Sequence, residues 1–207
     1  VGMSPRNKVV IYYLSGLIFF EVVVLTYVFS FERLDQMSLI NSFNSLGADF
    51  LFKIITSGAE ITIPILFLGY LIWKKSDLLK SYVISYIFST VIVQFLKLVV
   101  FKDALRPLAY FKGQGHAWHL VQNLMINEYN SMPSGHTSAA WFMCFWISLV
   151  AQKPILTVLI IFYAMLVAYS RVYLFQHFPV DTAVGAMIGT GVSLLVYFVN
   201  VSKSDLK

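Results

Sequence analysis

Asn130-Ser131-Met132-Pro133-Ser134-Gly135-His136-Thr137 stands where a polar loop gives way to the apolar run from Ala139 to Val150. A Pro-Ser-Gly turn opening a helix leaves several backbone N–H groups without intrahelical acceptors. The helix dipole adds positive potential there, so the turn suits a multiply charged anion such as phosphate. His136 adds a group able to donate a proton to whatever binds. The same residues are also what an ordinary helix start looks like, with Ser134 as the cap and His136 at the surface. The rest of the chain has to decide between the two.

Outward from that turn the chain is apolar. Of 207 residues, 58% are hydrophobic and 12% charged, with a mean hydropathy of +0.75, which is too apolar for a soluble domain of this size. The sequence predicts an integral membrane protein. Its net charge of +5 points first to loops facing anionic lipid, and nucleic acid is not an expected partner. The single cysteine, Cys144, lies in an apolar run and leaves no intrachain disulfide and no Cys-rich metal site.

A bilayer core of about 30 Å needs about 20 helical residues, and six segments answer to that. The first runs from Val9 to Phe31, too long for a signal-peptide core, and is expected to be retained. Glu32 to Asp49 reads as a polar loop with a surface turn. The second span runs from Ile54 to Trp73, with Pro64 as a kink, and the third from Leu78 to Phe101. The longest loop, Pro107 to Pro133, holds Tyr110, Phe111, Trp118 and Tyr129 and is expected to include an interfacial segment at headgroup depth. Spans four, five and six cover Thr137 to Ala151, Ile155 to Tyr173 and Thr182 to Val201. The fold class expected is all-α: one membrane domain over residues 1–207 built as a six-helix bundle.

With the N-terminus inside, Arg6, Lys8, Lys74, Lys75, Lys80, Lys153, Lys203 and Lys207 are cytoplasmic, against Arg33, Lys53, Lys97, Lys102, Arg106, Lys112 and Arg171 outside. Setting aside the three outer cations wanted for chemistry leaves eight against four, which favours cytoplasmic termini. Whichever way the chain is inserted, Lys97, Arg106, His136, Arg171, His177 and Asp181 share one face.

Those residues make a pattern. Span five ends in Ser170-Arg171; five residues on comes His177, and three more lead to Asp181 at the opening of span six. A carboxylate four residues from a histidine at a helix start can hold the imidazole in one tautomer, and a neutral, oriented imidazole is a nucleophile for phosphorus. Taken alone, Asp181 is equally a helix cap and His177 an interfacial residue. Arg106 and Arg171 are planar, permanent cations suited to tetrahedral oxyanions, and Lys97 or Lys102 adds a point charge. Span-end cations also snorkel to headgroups; it is the joint occurrence on one face that points to a phosphate site.

Pro133-Ser134-Gly135-His136 and Ser170-Arg171-(five)-His177-(three)-Asp181 resemble the second and third signature motifs of the type 2 phosphatidic acid phosphatase superfamily, which includes bacterial membrane lipid phosphatases and diphosphatases and soluble vanadium haloperoxidases. The first motif departs from the family's Lys-(six)-Arg-Pro. Eight residues separate Lys97 from Arg106-Pro107 and three separate Lys102, and the role is carried to Lys97 with Lys102 as the alternative. The resemblance implies that His177 attacks phosphorus to give a phosphohistidine, that Asp181 stabilises its imidazolium, and that His136 protonates the leaving oxygen and then activates water. It assigns Lys97, Arg106, Ser134, Gly135 and Arg171 to the phosphoryl oxygens, and it requires no cofactor and no metal.

The expected substrate is a lipid-linked phosphate or pyrophosphate taken from the outer leaflet of a bacterial inner membrane. Undecaprenyl diphosphate, lipid A phosphates, phosphatidylglycerophosphate and phosphatidic acid share the reacting group. A non-hydrolytic lipid-phosphate binder or transporter on the same fold is the alternative, and a soluble vanadate peroxidase conflicts with the hydropathy. Four further residues stay open. Glu21 lies mid-span, lining a lipid path or bonded within the bundle; Glu60 can meet Lys53 or the site cations; His116 and His119 have helix-like spacing for a metal but read better as loop or headgroup contacts. Gly185, Gly189 and Gly191 form a small-residue stripe, for packing within the bundle first and a dimer seam second.

Overall fold

Helix starts in this sequence are written in Ser and Pro. Ser4 Oγ accepts the Asn7 N–H at 3.2 Å and Pro5 fills the first turn of α1 (Pro5–Ser30). The computed structural model describes residues 3–201; Lys203 and Lys207, counted above on the cytoplasmic side, lie outside them. After α1 come α2 (Arg33–Ser42), α3 (Leu46–Trp73), α4 (Leu79–Val100), α5 (Pro107–Tyr110), α6 (Gly135–Ala151), α7 (Pro154–Tyr173) and α8 (Pro179–Asn200). Among the described residues there is no strand. Five helices, α1, α3, α4, α7 and α8, are long and apolar enough to cross a bilayer, and the chain is an integral membrane protein.

Helix α6 is shorter, at 17 residues, but 11 of them are buried, so it forms the axis of the bundle. It touches α8, α7, α4 and α1. Trp141, Phe142, Phe145 and Trp146 are enclosed there, with Tyr13 edge-on to Trp141 and Phe145 and its hydroxyl donating to the Trp141 carbonyl at 2.6 Å. Lipid tails are as apolar as these rings, so such contacts are held by packing and internal hydrogen bonds rather than by removal from water. That places a premium on close approach. A Cβ at Gly185 would lie 2.6 Å from the Ser134 carbonyl oxygen, and one at Gly189 would overlap the Ser138 carbonyl, so α8 meets α6 backbone to backbone. Both glycines of the stripe therefore face the bundle interior, while nothing lies near Gly191.

Two regions depart from the sequence reading. Glu32 to Asp49, expected as a loop, contains the ten-residue α2 and the first turn of α3. Helix α2 carries little apolar patterning and is fixed instead by hydrogen bonds: the Gln36 amide donates to the carbonyls of Val28 and Phe31, and Tyr27 donates to the Gln36 carbonyl. Ser45 then caps α3 by accepting the Ala48 N–H. The second departure is at Pro64. It does not simply kink the span; the turn Gly58–Thr62 before it is a π-turn, closed by Ile63 N–H to the Gly58 carbonyl. Pro64 has no N–H to offer the Glu60 carbonyl, and widening the preceding turn accommodates the loss.

The long loop between α4 and α6 is irregular apart from α5 and packs over one end of the bundle. Phe111 and Trp118 cluster with Phe175 and Phe178, and Asn41 on α2 exchanges hydrogen bonds with the His119 backbone. This is the end at which α3 and α6 begin, α4 and α7 finish and α8 starts, which gathers every motif residue in one place.

Candidate active site

The spacing between Arg171 and His177 has a physical cause. Helix α7 closes with the amides of both Gln176 and His177 donating to the Arg171 carbonyl, at 3.0 and 3.2 Å, and with Phe175 in the left-handed region at φ 60°. The intervening residues fold back, so His177 lies close to Arg171. Pro179 opens α8 and puts Asp181 in its first turn. Asp181 Oδ2 accepts the Phe178 N–H at 2.9 Å, the Ser131 hydroxyl at 2.5 Å and faces His177 Nδ1 at 3.4 Å. With a carboxylate as acceptor, Nδ1 carries the ring proton and Nε2 has the free lone pair. His177 is buried, and burial pushes its pKa down to about 3, with Asp181 pulling the other way and Arg106 and Arg171 adding to the depression. At neutral pH the ring is uncharged.

The opening turn is held to the same helix. Ser134 N–H donates to the Asp181 carbonyl at 2.9 Å, and the Ser134 hydroxyl oxygen accepts from the Thr137 hydroxyl at 2.9 Å and the Thr137 N–H at 3.4 Å. Capping thus uses the oxygen of Ser134 as acceptor and leaves its proton to give away. Met132–Pro133 is a cis peptide.

Three cations bear on this place. Arg106, buried, donates Nε–H to the Tyr129 carbonyl and Nη1–H to both oxygens of Gln176, and none of these bonds uses Nη2. Burial pushes its pKa down from the usual guanidinium value while Asp181 raises it. Arg171 donates Nη1–H to the Thr56 hydroxyl at 2.9 Å, and its Nε–H is buried with no acceptor. A buried donor left unsatisfied costs about 1–3 kcal/mol, which an incoming phosphoryl oxygen would relieve. Lys97 sits in a π-turn, Leu96–Val100, and donates to the Asn130 carbonyl at 3.1 Å. Its charge is felt with those of Arg106, Arg171 and Asp181, whereas Lys102 points to the exposed surface.

His136, in the first turn of α6, lies within electrostatic reach of Arg171 and Lys97 and pairs through Nε2 with Glu60 Oε2 at 3.3 Å. Arg171 thus acts on both histidines. A cavity of about 250 Å³ lined by His136, Gly135, Glu60, Ser89 and Gln94 opens between α3, α4 and α6. His177, Asp181, Arg106 and Arg171 are behind its wall rather than on it.

The structure therefore brings Lys97, Arg106, Ser134, Gly135, His136, Arg171, His177 and Asp181 to one end of the bundle. Sequence reasoning missed Ser131, Gln176 and Thr56, which hold Asp181, Arg106 and Arg171, and the partner of Glu60. Lys53 does not reach Glu60; it donates to the Gln122 carbonyl. His119 pairs with Asp49 at 3.0 Å, and Asp49 also accepts from Tyr173 at 2.6 Å, a clasp between loop and bundle. His116 lies against Trp118 with the rings tilted, centroids 5.8 Å apart. Among the described residues no group of three metal-ligating side chains occurs. Glu21 is remote from all of this, and both its carboxyl oxygens are buried without a hydrogen bond.

A sequence profile described as the PAP2 superfamily matches residues 78–204. No curated protein matches the chain. Two solved structures share its fold. One, from Aquifex aeolicus, is LpxE, with 24% identity and TM-score 0.67 over 80% of this chain and 94% of that one. The other, from Bacillus subtilis, is described as the first transmembrane PAP2-type phosphatidylglycerolphosphate phosphatase, with 17% identity and TM-score 0.64 over 94% and 97%.

Proposed function

The chain belongs to the PAP2 superfamily, and from that membership and the site just described we propose that it is a membrane phosphatase for lipid-linked phosphate monoesters or pyrophosphates. The observation that carries this is the neutral, buried His177, held by Asp181 at Nδ1 and surrounded by the charges of Arg106 and Arg171.

In this reading Nε2 of His177 attacks phosphorus as the bond to the leaving oxygen breaks, giving a phosphohistidine whose positive ring is stabilised by Asp181. His136 gives its proton to the leaving oxygen, then takes one from the water that releases phosphate. Arg106 Nη2, Arg171 Nε, Lys97, the Ser134 hydroxyl and the Gly135 N–H stabilise the equatorial oxygens. Three fixed cations supply the charge, so turnover is expected to persist in chelator. Helix α6 is read as a sixth crossing, with residues 1–207 as a single domain and the loop from α4 to α6 bearing an interfacial segment. Its location is the bacterial inner membrane, with the site at the outer, periplasmic face and cytoplasmic termini. Likeness to a phosphatidylglycerolphosphate phosphatase supports a lipid phosphate over a free one.

The test is phosphate release from a panel of lipid phosphates, in chelator, by the wild type and by His177→Ala. Release by the wild type alone is the expected result. Equal release by both, or none from any lipid while binding persists, overturns the reading; the second outcome describes a non-hydrolytic binder.

A further inference from the structure

The π-turn in α3 places a carboxylate against the second histidine. We propose that Glu60 is a positioning residue that holds His136 in its protonated, leaving-group-facing state, giving the site a second histidine–carboxylate pair. This rests on the phosphatase reading above.

Three observations support it. Glu60 Oε2 lies 3.3 Å from His136 Nε2, and both residues line the same cavity of about 250 Å³. Glu60 is put there by backbone geometry: it sits inside the turn Gly58–Thr62 that Pro64 widens, and a change of one residue per turn in an α-helix rotates a side chain by about 100°. The charged groups that bear on His136 are Arg171 from α7, Lys97 from α4 and Glu60 from α3. Two of the three are cations, and an imidazolium between them is opposed by like charge; Glu60 is the anion that offsets them. Glu60 also borders a second cavity of about 250 Å³, lined by Ile61, Pro64, Leu68 and Tyr82, so it stands between the His136 chamber and a mostly apolar groove. A lipid whose chain lay in that groove and whose leaving oxygen entered the chamber would present that oxygen to this pair, with its phosphorus toward His177 and the arginines behind the chamber wall.

In the first step the bond from phosphorus to the leaving oxygen breaks while the bond to His177 Nε2 forms. With Nε2–H held by the Glu60 carboxylate, the proton on His136 Nδ1 passes to that oxygen, leaving a neutral imidazole and an intact carboxylate. In the second step the imidazole takes a proton from water as the water oxygen bonds to phosphorus. The bond from phosphorus to His177 Nε2 breaks, returning its electron pair to the ring and releasing phosphate, and Glu60 again stabilises the His136 cation that results.

The experiment uses the full chain in lipid nanodiscs with two substrates, an alkyl lipid phosphate and an aryl phosphate whose leaving group departs without a proton. For Glu60→Gln we expect kcat on the alkyl substrate to fall by about tenfold or more, KM to stay within about threefold, and the alkaline limb of the pH profile to move down by about one unit. The aryl substrate should be affected far less, and Glu60→Asp should restore much of the profile. An unmoved alkaline limb with equal losses on both substrates overturns the proposal. If Glu60→Gln does not fold, Glu60→Ala decides: loss of the carboxylate must move the limb in the same direction, and an unmoved limb again overturns the proposal. A wild type that releases phosphate from neither substrate removes the phosphatase reading itself, and this inference with it.

Discussion

Two histidines of the candidate site face carboxylates, at 3.4 Å for His177 and Asp181 and 3.3 Å for His136 and Glu60, in very different surroundings. The first pair is 2% and 3% exposed, joined by a helix start and locked by Ser131 and the Phe178 N–H. The second is 24% and 54% exposed, bridges two separate helices and borders a cavity. In the proposed reading, burial keeps the enclosed ring neutral for attack on phosphorus, while Glu60 and the cavity beside His136 serve the ring that gains and loses a proton within each turnover. On that reading, enclosure and access to the cavity divide the same two side-chain types between nucleophile and acid–base.

The most severe way to break this division is to delete each ring in turn. His177→Ala should lower phosphate release by about 10⁴-fold or more, His136→Ala by about 10²- to 10³-fold. Labelled phosphohistidine should be recovered from the second variant given an aryl phosphate, and not from the first. Recovery from His177→Ala would invert the assignment.

Next come the carboxylates. Asp181→Asn should both slow turnover by about 10²-fold and lower stability by about 1–3 kcal/mol, because the Ser131 hydroxyl and the Phe178 N–H lose a charged acceptor. Glu60→Gln, at a half-exposed position, should leave the thermal midpoint nearly unchanged, within about 0.5 kcal/mol. Thermal melts of the two variants compare them directly; equal destabilisation would mean that the open pair is structural too.

The pH dependence of stability sharpens the contrast further. His177 has its pKa depressed to about 3 in the folded chain, against an ordinary value near 6.5. Below that ordinary value the unfolded chain takes up a proton that the folded chain refuses. Stability is therefore full above about pH 6.5 and falls progressively as pH drops toward 3. His177→Gln should flatten this part of the curve. The smallest effect is expected for Ser131→Ala, which removes one hydrogen bond to Asp181: about 1 kcal/mol and a several-fold loss of rate.

Much of this was legible in the sequence for physical reasons. Spanning helices must be about 20 apolar residues long, and a phosphate site needs cations, a helix start and an oriented base, all of which leave marks at fixed spacing. Helix α2 left no such mark, because its place is set by Gln36 and Tyr27 reaching the backbone of its neighbours. The choice between Lys97 and Lys102 was open along the chain, since both precede Arg106; folding puts the first within reach of the other cations and the second at the surface. Pairing of Glu60 with His136 was invisible, because it depends on a turn of unusual width that only Pro64 hints at, and on a helix 75 residues further along.

The contact at Gly185 fixes which part of the bundle can yield. There the α8 backbone lies against the Ser134 carbonyl, and the Ser134 amide is tied to the Asp181 carbonyl in return. The start of α8, with His177 and Asp181, and the Ser134 turn are thus two points on one block. In the proposed reading a lipid does not part them, and the breathing that admits an acyl tail or frees a dephosphorylated product is expected from the opposite side, where α3 and α4 carry more of their surface on the outside than α7 and α8 do.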